Sequence, residues 1–285
     1  MMISVKGLIF RYPQAQSDAL KGVSFDVQQG EIFGFLGPSG AGKSTVQRLL
    51  NKQLSAAQGE LLFDGIPLVE TGRDYFESIG VAFEQPNLYE RLTGEANLTA
   101  AAGLYSAPSR SSKELFELLD MGAALDQRVS TYSKGMKQRL VVLRAIQHQP
   151  KVLFLDEPTS GNDPGNTARM IELIRAERDR GATIVLSTHD MHVADALCDR
   201  IAFINEGQIV ASDSPRNLKL EHGQQGISVE FTAEGEAQTE VIDGSSEAGR
   251  KRLDALLASG MVETLHSREA TLGEIFIKLT GCELV

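Results

Sequence analysis

Apolar and polar positions alternate along the start of the chain, as they do in a sheet with one buried face. This alternation runs over residues 2–36, with turn residues at Pro13, Lys21-Gly22 and Gln29-Gly30. It predicts a small antiparallel sheet. The last stretch, residues 31–36, is almost entirely apolar and is typical of a strand that is covered on both faces.

The middle of the chain predicts further strands followed by a helical segment. Residues 60–63 and 79–83 are β-rich, and Gln85 follows the second of them closely. From about residue 88 to 135 the apolar residues recur at helix spacing, with a break at residues 108–112. We therefore expect a mostly helical insert.

Two more apolar runs indicate strands of a parallel sheet. Residues 152–155 lead directly into Asp156 and Glu157, and a predicted helix over 167–180 is followed by a strand over 183–187 and then by His189. Strand, helix and strand in this order predict an α/β fold, in which polar residues at the strand ends converge at the carboxyl edge of a mainly parallel sheet.

The last part of the chain predicts a separate small domain. A hairpin is expected over 200–210, and we place a boundary near residue 220, where 221–226 is polar and glycine-rich. Beyond it we expect a strand at 227–232, a polar turn-rich stretch, a helix at 247–258, a strand at 261–265 and a helix at 272–279. The predicted organisation is residues 1–220 as the main domain and 221–285 as a small α+β accessory domain.

Composition excludes several functional classes. The chain has 285 residues, 42% hydrophobic and 23% charged, with a net charge of −10; this is typical of a globular protein and argues against broad binding to nucleic acid. No apolar run approaches the roughly 18 residues that cross a bilayer, and the N-terminus lacks the core of a signal peptide. Cys198 and Cys282 are far apart in sequence, so we expect reduced thiols in the cytoplasm.

The clearest chemical motif follows the first apolar run. It matches G-x-x-x-x-G-K-[ST], lies between a predicted strand and a predicted helix, and predicts a phosphate-binding loop. Its members are Gly37, Pro38, Ser39, Gly40, Ala41, Gly42, Lys43, Ser44 and Thr45, called the phosphate loop below. We expect Lys43 to reach the β- and γ-phosphates and the Ser44 hydroxyl to bind Mg²⁺.

The acidic pair and two other side chains complete the predicted site. Asp156 is the expected Mg²⁺ ligand, and Glu157 is expected to orient or deprotonate water; the alternative for such a pair is a helix cap or a solvated turn. His189 alone would more often be structural than catalytic. Tyr12 is either an ordinary strand aromatic or an adenine-stacking ring.

Together these residues resemble the nucleotide-binding subunit of an ATP-binding cassette (ABC) transporter. The discriminating stretch is Tyr132-Ser133-Lys134-Gly135-Met136-Lys137-Gln138-Arg139, called the signature segment below. It is similar to the LSGGQ signature of that family, with Tyr, Lys and Met in place of Leu, the first Gly and Gln. The resemblance covers residues 2–220.

The resemblance assigns a role to several single residues. It implies that Tyr12 stacks on adenine and that Gln85 is a catalytic glutamine that also faces Mg²⁺. Asp156 would be the Mg²⁺-side aspartate, Glu157 the catalytic glutamate and His189 the switch histidine. Residues 160–163 resemble the D-loop, with Asn162 at a position that is usually apolar.

The resemblance also implies that two cassettes work together. Ser133 and Gly135 would contact the γ-phosphate that is bound to the opposite subunit, so that ATP lies between two head-to-tail copies. The chain has a single phosphate loop, and we therefore expect a homodimer or a second cassette subunit. Lys134 would either strengthen the phosphate contact or remain a solvated lysine.

The implied partner is a separate transmembrane permease, with this chain peripheral on the inner face of the cell membrane. Residues 86–93, called the docking loop below, occupy the place where such cassettes receive the membrane subunit; Leu88, Tyr89 and Leu92 are candidate contacts or plain core residues. The signature segment and the ending 271–281 are similar to exporters of the ABC-2 type. The alternative is a soluble cassette ATPase that remodels a cytosolic complex.

Overall fold

The computed structural model describes residues 1–55, 58–223, 226–233, 236–244 and 246–282. Their contacts divide them into two compact units, residues 1–213 and residues 214–282. The division lies a few residues before the boundary predicted near residue 220. Of the polar stretch 221–226 that suggested this boundary, residues 224 and 225 lie outside the described ranges.

The first unit contains strands and helices in alternation. In chain order its elements are β1 (Ile3–Phe10), β2 (Leu20–Val27), β3 (Ile32–Leu36), α1 (Lys43–Leu50), β4 (Gln58–Phe63), β5 (Ile66–Pro67), α2 (Arg73–Ser78), β6 (Ile79–Ala82), α3 (Gly94–Ala102), α4 (Ser112–Leu118), α5 (Lys134–Ile146), β7 (Val152–Asp156), α6 (Pro164–Asp179), β8 (Thr183–Thr188), α7 (Met191–Leu197), β9 (Arg200–Asn205) and β10 (Gln208–Asp213).

The main sheet carries strand ends that bear polar residues. Its strand order is β10-β9-β3-β8-β7-β6, and every neighbouring pair from β9 to β6 is parallel, while β10 is antiparallel to β9. β3, β7 and β8 are buried along their whole length, as the continuous apolar runs predict. The carboxyl ends of β3, β8, β7 and β6 therefore lie side by side at one edge.

A second sheet packs against the first around a cluster of aromatic rings. It is antiparallel, with the order β2-β1-β4-β5. Phe25 of β2 stacks on Phe33 of β3 with ring centroids 5.6 Å apart and meets Phe35 edge to face at 4.9 Å. The predicted fold class, a mainly parallel sheet with an antiparallel subdomain, is confirmed.

The helical insert leads into the signature segment. α3 and α4 are capped by Thr93 and Ser111, whose side chains accept hydrogen bonds from the backbone N–H groups of Ala96 and Glu114. The buried Tyr132 hydroxyl donates to the carbonyl oxygen of Ala124 at 2.5 Å. The start of α5 is therefore anchored to the insert.

The second unit is a small α+β fold. Its elements are α8 (Pro215–His222), β11 (Gly226–Ala233), β12 (Glu236–Ile242), α9 (Glu247–Ser259), β13 (Val262–Arg268) and α10 (Leu272–Thr280). The strands form an antiparallel sheet in the order β12-β11-β13, and a core of Val229, Phe231, Ile242 and Leu256 joins this sheet to α9.

One element of this unit differs from the prediction. The stretch expected to be polar and turn-rich contains β12, an edge strand whose residues are mostly exposed. Apolar residues do not alternate along this edge strand, because most of its positions are exposed and Ile242, at its end, is the residue that enters the core. Within the described ranges, every helix is too short or too polar to traverse a lipid bilayer.

Candidate active site

The phosphate loop connects β3 to α1 and requires glycine at particular positions. Gly40 and Gly42 have φ angles of +79° and +114°, a region that side chains with a Cβ rarely occupy. A Cβ on Gly37 would lie 2.1 Å from the carbonyl oxygen of Ile204. The close approach of β9 therefore requires a glycine at the start of the loop, before any ligand is considered.

Lys43 lies inside the loop with its charge held by backbone oxygens. Its ammonium group donates to the carbonyl oxygens of Gly37 at 2.6 Å and Pro38 at 3.0 Å. Burial lowers the pKa of Lys43, against the opposing charges of nearby carboxylates. A phosphate oxygen that entered the loop would compete with two neutral carbonyls for this cation.

The predicted metal-binding pair is adjacent in space. The Ser44 hydroxyl donates to Asp156 Oδ1 at 3.3 Å, and the Ser187 hydroxyl donates to the same oxygen. Gln47 fixes α1 against the sheet by donating to the Leu155 carbonyl at 3.1 Å and to that of Val185. The spacing of Ser44 and Asp156 is therefore held by the core rather than by the loop alone.

This pair fits Mg²⁺ better than a metal that requires a protein cage. A hydroxyl and a carboxylate are hard oxygen donors, and Mg²⁺ usually keeps several waters and takes its other ligands from substrate phosphates. The described residues hold no cluster of three or more His, Cys, Asp or Glu side chains that could bind a metal. A phosphate-bearing substrate is what would complete the coordination.

Glu157 and His189 are in direct contact. Glu157 Oε1 lies 2.8 Å from His189 Nδ1 and accepts from the backbone N–H of His189 at 3.0 Å. The Thr188 hydroxyl donates to Glu157 Oε2 at 3.2 Å. The Glu157 carboxylate is nearly buried, whereas 63% of the His189 side chain is exposed. The pair therefore places a buried carboxylate at the sheet edge in contact with an imidazole at the protein surface.

Tyr12 and Gln85 approach the site differently. The Tyr12 hydroxyl lies 3.1 Å from Thr45 Oγ1, and its ring meets Phe10 edge to face at 4.9 Å. Tyr12 is therefore beside the phosphate loop, although distant in sequence. Gln85 lies beyond the end of β6 with its side chain exposed.

The signature segment begins with an exposed serine and continues into packed glycine. Ser133 is exposed and caps α5, accepting a hydrogen bond from the Met136 N–H at 3.2 Å. Gly135 is buried, and a Cβ on it would lie 2.5 Å from the carbonyl oxygen of Gly161. Packing within the chain thus already explains the glycine at 135.

The docking loop borders a groove. Tyr89 and Leu92 are 65% and 41% exposed, whereas Leu88 is half-buried. A groove of about 600 Å³ adjoins Tyr89, and its walls include Phe76, Leu104 and Tyr105. Tyr89 and Leu92 are thus exposed apolar residues rather than core residues.

Three polar residues of the site escaped the sequence analysis. Gln47, Ser187 and Thr188 support Asp156 and Glu157 through the hydrogen bonds given above. The only signal was their polarity at positions where the predicted elements are buried: Gln47 on the inner side of α1, and the two hydroxyls at the end of β8. Such positions are expected to be apolar unless the polar group has a partner.

Comparison with known proteins identifies relatives over nearly the whole chain. The family model described as ABC transporter matches residues 20–160. A fluoroquinolones export ATP-binding protein from Mycobacterium tuberculosis is 44% identical, covering 99% of this chain and 94% of the relative. A Nod factor export ATP-binding protein from a Rhizobium species is 34% identical, with 93% of both chains covered.

Relatives that are named for import and solved structures also match. A methionine import ATP-binding protein from Caulobacter vibrioides is 33% identical over 98% of this chain and 92% of its own length. Among solved structures, an ATP-binding subunit of an ABC transporter superposes with a TM-score of 0.70 at 28% identity, covering 78% of this chain and 94% of that one. A dimeric bacterial ABC transporter cassette superposes with a TM-score of 0.67 at 26% identity, covering 75% and 98%.

Proposed function

The chain belongs to the ABC transporter family as an ATP-binding, ATP-hydrolysing subunit, and from this premise we propose that it powers an exporter through a separate membrane subunit. Support for export comes from the 44% identical relative, which matches the whole chain including the second unit and is named for fluoroquinolone export. A fluoroquinolone is therefore the first cargo to test.

The observation that carries the proposal is the meeting of four side chains at one sheet edge. Lys43, Asp156, Glu157 and His189 follow β3, β7 and β8, and hydrogen bonds fix them there. In the proposed roles, the phosphate loop with Lys43 holds the β- and γ-phosphates, and the Tyr12 ring stacks on adenine. Ser44 and Asp156 would hold Mg²⁺, together with Gln85 from the loop after β6.

The proposed hydrolytic step relies on Glu157. Its carboxylate accepts a hydrogen bond from water and orients that water toward the γ-phosphorus. As the water oxygen bonds to phosphorus, the bond to the β–γ bridging oxygen breaks, ADP leaves, and the carboxylate can receive the proton that the water loses. His189 Nδ1, at 2.8 Å from Glu157 Oε1, holds the carboxylate in this orientation. Mg²⁺, when bound, neutralises charge on the phosphates and so lowers the barrier.

We propose that two cassettes come together around ATP, and that the second one is either another copy of this chain or a different cassette subunit. Ser133 and Gly135 would supply their helix N-terminus to the γ-phosphate of the other subunit. The exposure of Ser133 and the dimeric state of a related bacterial cassette support this arrangement. Contacts that exist only with the γ-phosphate present make closure depend on ATP.

The proposed docking site for the membrane subunit is the groove beside the docking loop. Its exposed aromatic and aliphatic side chains, Tyr89, Leu104 and Phe76 among them, offer an apolar surface for a short helix. The protein would then work as a peripheral subunit on the inner face of the cell membrane, without binding nucleic acid.

The test of the proposed function is Glu157→Gln. General-base catalysis is usually worth about 10²–10⁴ in rate, so we expect ATP turnover to fall by that range while ATP still binds. Because it binds ATP without hydrolysing it, the Glu157→Gln protein should dimerise at saturating Mg-ATP, as measured by size-exclusion chromatography with light scattering. Lys43→Ala, which removes the phosphate contact, is the control that should neither bind ATP nor dimerise.

Two results would contradict this function. One is wild-type turnover in Glu157→Gln. The other is a Glu157→Gln protein that stays monomeric with Mg-ATP, both alone and with any cassette subunit encoded beside it. Fractionation separates transport from the cytosolic alternative: co-expressed with its permease, the chain should be recovered with membranes, and recovery in the soluble fraction alone would favour the alternative.

A further inference from the structure

A buried glutamine of α5 reaches the carboxyl ends of two strands at once. Gln138 is only 2% exposed. Its amide nitrogen lies 3.4 Å from the carbonyl oxygen of Phe83, 3.4 Å from that of Asp156 and 3.3 Å from that of Glu157. One amide group therefore serves three backbone acceptors.

These acceptors are next to the residues of the proposed hydrolytic step. Phe83 follows β6 and precedes Gln85 by two positions, while Asp156 ends β7 and Glu157 follows it directly. An amide with two N–H groups among these carbonyl oxygens ties the end of β6 to the end of β7, because a shift of either strand end away from the amide deprives the buried N–H groups of acceptors.

The backbone at Glu157 needs such support. Its φ angle is +48°, which is uncommon for a residue that has a Cβ. The Glu157 N–H donates to the Ser187 carbonyl at 2.9 Å, and the Glu157 carbonyl accepts from the Ser160 N–H at 3.1 Å as well as from Gln138. Of these three partners of the Glu157 backbone, Ser187 and Ser160 bond through backbone groups, and Gln138 bonds through its side chain.

We propose that Gln138 is a positioning residue for Glu157, through which the helix that begins at Ser133 sets the direction of the carboxylate. The inference rests on the proposed role of Glu157 as the residue that orients water. Since Ser133 caps the helix that carries Gln138, a change in the position of that helix moves the carbonyls of the strand end, and Glu157 with them.

The same helix also holds the docking loop. Lys137 Nζ pairs with Glu90 Oε1 at 2.5 Å, and Arg144 donates to the carbonyl oxygen of Asn87 at 2.8 Å. Gln138 thus belongs to a helix that contacts the docking loop and the end of β7. A displacement of the docking loop would therefore move α5, and the movement of α5 would shift Glu157.

The experiment replaces Gln138 with methionine, which keeps the length of the side chain and removes its donors. We expect kcat for ATP hydrolysis to fall about tenfold or more while KM for ATP stays within about twofold. Gln147→Met is the matched control: Gln147 is buried at the end of α5, and the orientation of its amide that satisfies its neighbours donates to the Leu98 carbonyl of α3 at 3.0 Å. It should lose stability and keep kcat.

A double variant separates positioning from general loss of structure. Because the proposed effect passes through the Glu157 carboxylate, Gln138→Met should not lower further the residual turnover of Glu157→Gln. Should Gln138→Met fail to fold, Gln138→Asn, which draws the amide back by one methylene, is expected to show the same loss of kcat with KM retained.

The outcomes are distinguishable. Wild-type kcat in the Gln138 variant, or a further loss of turnover in the Glu157→Gln background, overturns the role of Gln138 and leaves the proposed function intact. Wild-type turnover in Glu157→Gln itself overturns the proposed function, and the inference with it.

Discussion

Lys43 shows how a functional residue opposes the stability of its own fold. The ammonium group is buried among loop carbonyls, and this burial lowers its pKa. A lysine whose pKa is lower in the folded state binds its proton less tightly there than in the unfolded chain. The charge therefore costs stability at pH values below the folded pKa; the cost shrinks as pH rises above that pKa and is gone above the pKa of lysine in the unfolded chain.

Replacing Lys43 should accordingly have opposite effects on ATP binding and on the stability of the nucleotide-free protein. We expect Lys43→Met to abolish ATP binding while raising the stability of the nucleotide-free protein by about 0.5–1 kcal/mol, measured by urea unfolding at neutral pH. The stability gain should shrink at high pH, where the wild-type lysine is neutral. Lys113→Met, at an exposed lysine of α4, is the control; a nucleotide-free Lys43→Met less stable than this control would refute the argument.

At the scale of elements, the start of α5 is packed against the segment that precedes α6. Gly135 leaves no room for a Cβ, since that atom would lie 2.5 Å from the Gly161 carbonyl oxygen and 2.9 Å from Asn162 Oδ1. The aliphatic part of Lys134 lies over Gly161. The signature segment and residues 160–163 therefore form one packed contact within the chain.

This packing predicts the effect of a single methyl group. Gly135→Ala should push the start of α5 away from residues 161–162 and destabilise the protein by about 1–3 kcal/mol, with or without ATP. Thermal or urea unfolding of the nucleotide-free protein measures this directly, with Lys113→Ala, at an exposed position of α4, as the control that should change it little. A Gly135→Ala protein of wild-type stability that had lost only turnover would mean that the glycine serves the opposite subunit alone.

At the scale of the whole molecule, the chemistry and the accessory fold belong to different units. Every candidate site residue lies within residues 1–213, whose core includes the phenylalanine cluster of β2 and β3. The second unit has its own core around Val229 and Phe231. The residues proposed for nucleotide binding therefore all come from the first unit.

A chain that ends at residue 213 should keep the nucleotide site. We expect it to bind ATP with a dissociation constant within about threefold of that of the full chain, since a change of 1.4 kcal/mol in binding would already be tenfold. Calorimetric titration, with circular dichroism as the check on folding, measures this. A truncated chain that folds but binds ATP more than tenfold more weakly would show that the second unit contributes to the site.

Local patterns were sufficient for much of this protein. The phosphate loop, the acidic pair after β7 and His189 after β8 are each a short stretch of chemistry next to an apolar run, so periodicity and residue type predicted both the strands and their polar ends. The parallel sheet followed from the alternation of strands and helices. The strand β12 was missed because its residues are mostly exposed at a sheet edge.

Tertiary structure alone decided which distant groups meet. The family, the fold class and the phosphate-loop chemistry could be predicted from short stretches of residues, because each depends on residues that are neighbours in the chain. The contact of Gly135 with Gly161 and the reach of Gln138 to Phe83 and Glu157 join residues far apart in the chain. Such contacts depend on how helices settle on the sheet, which no local pattern of polarity encodes.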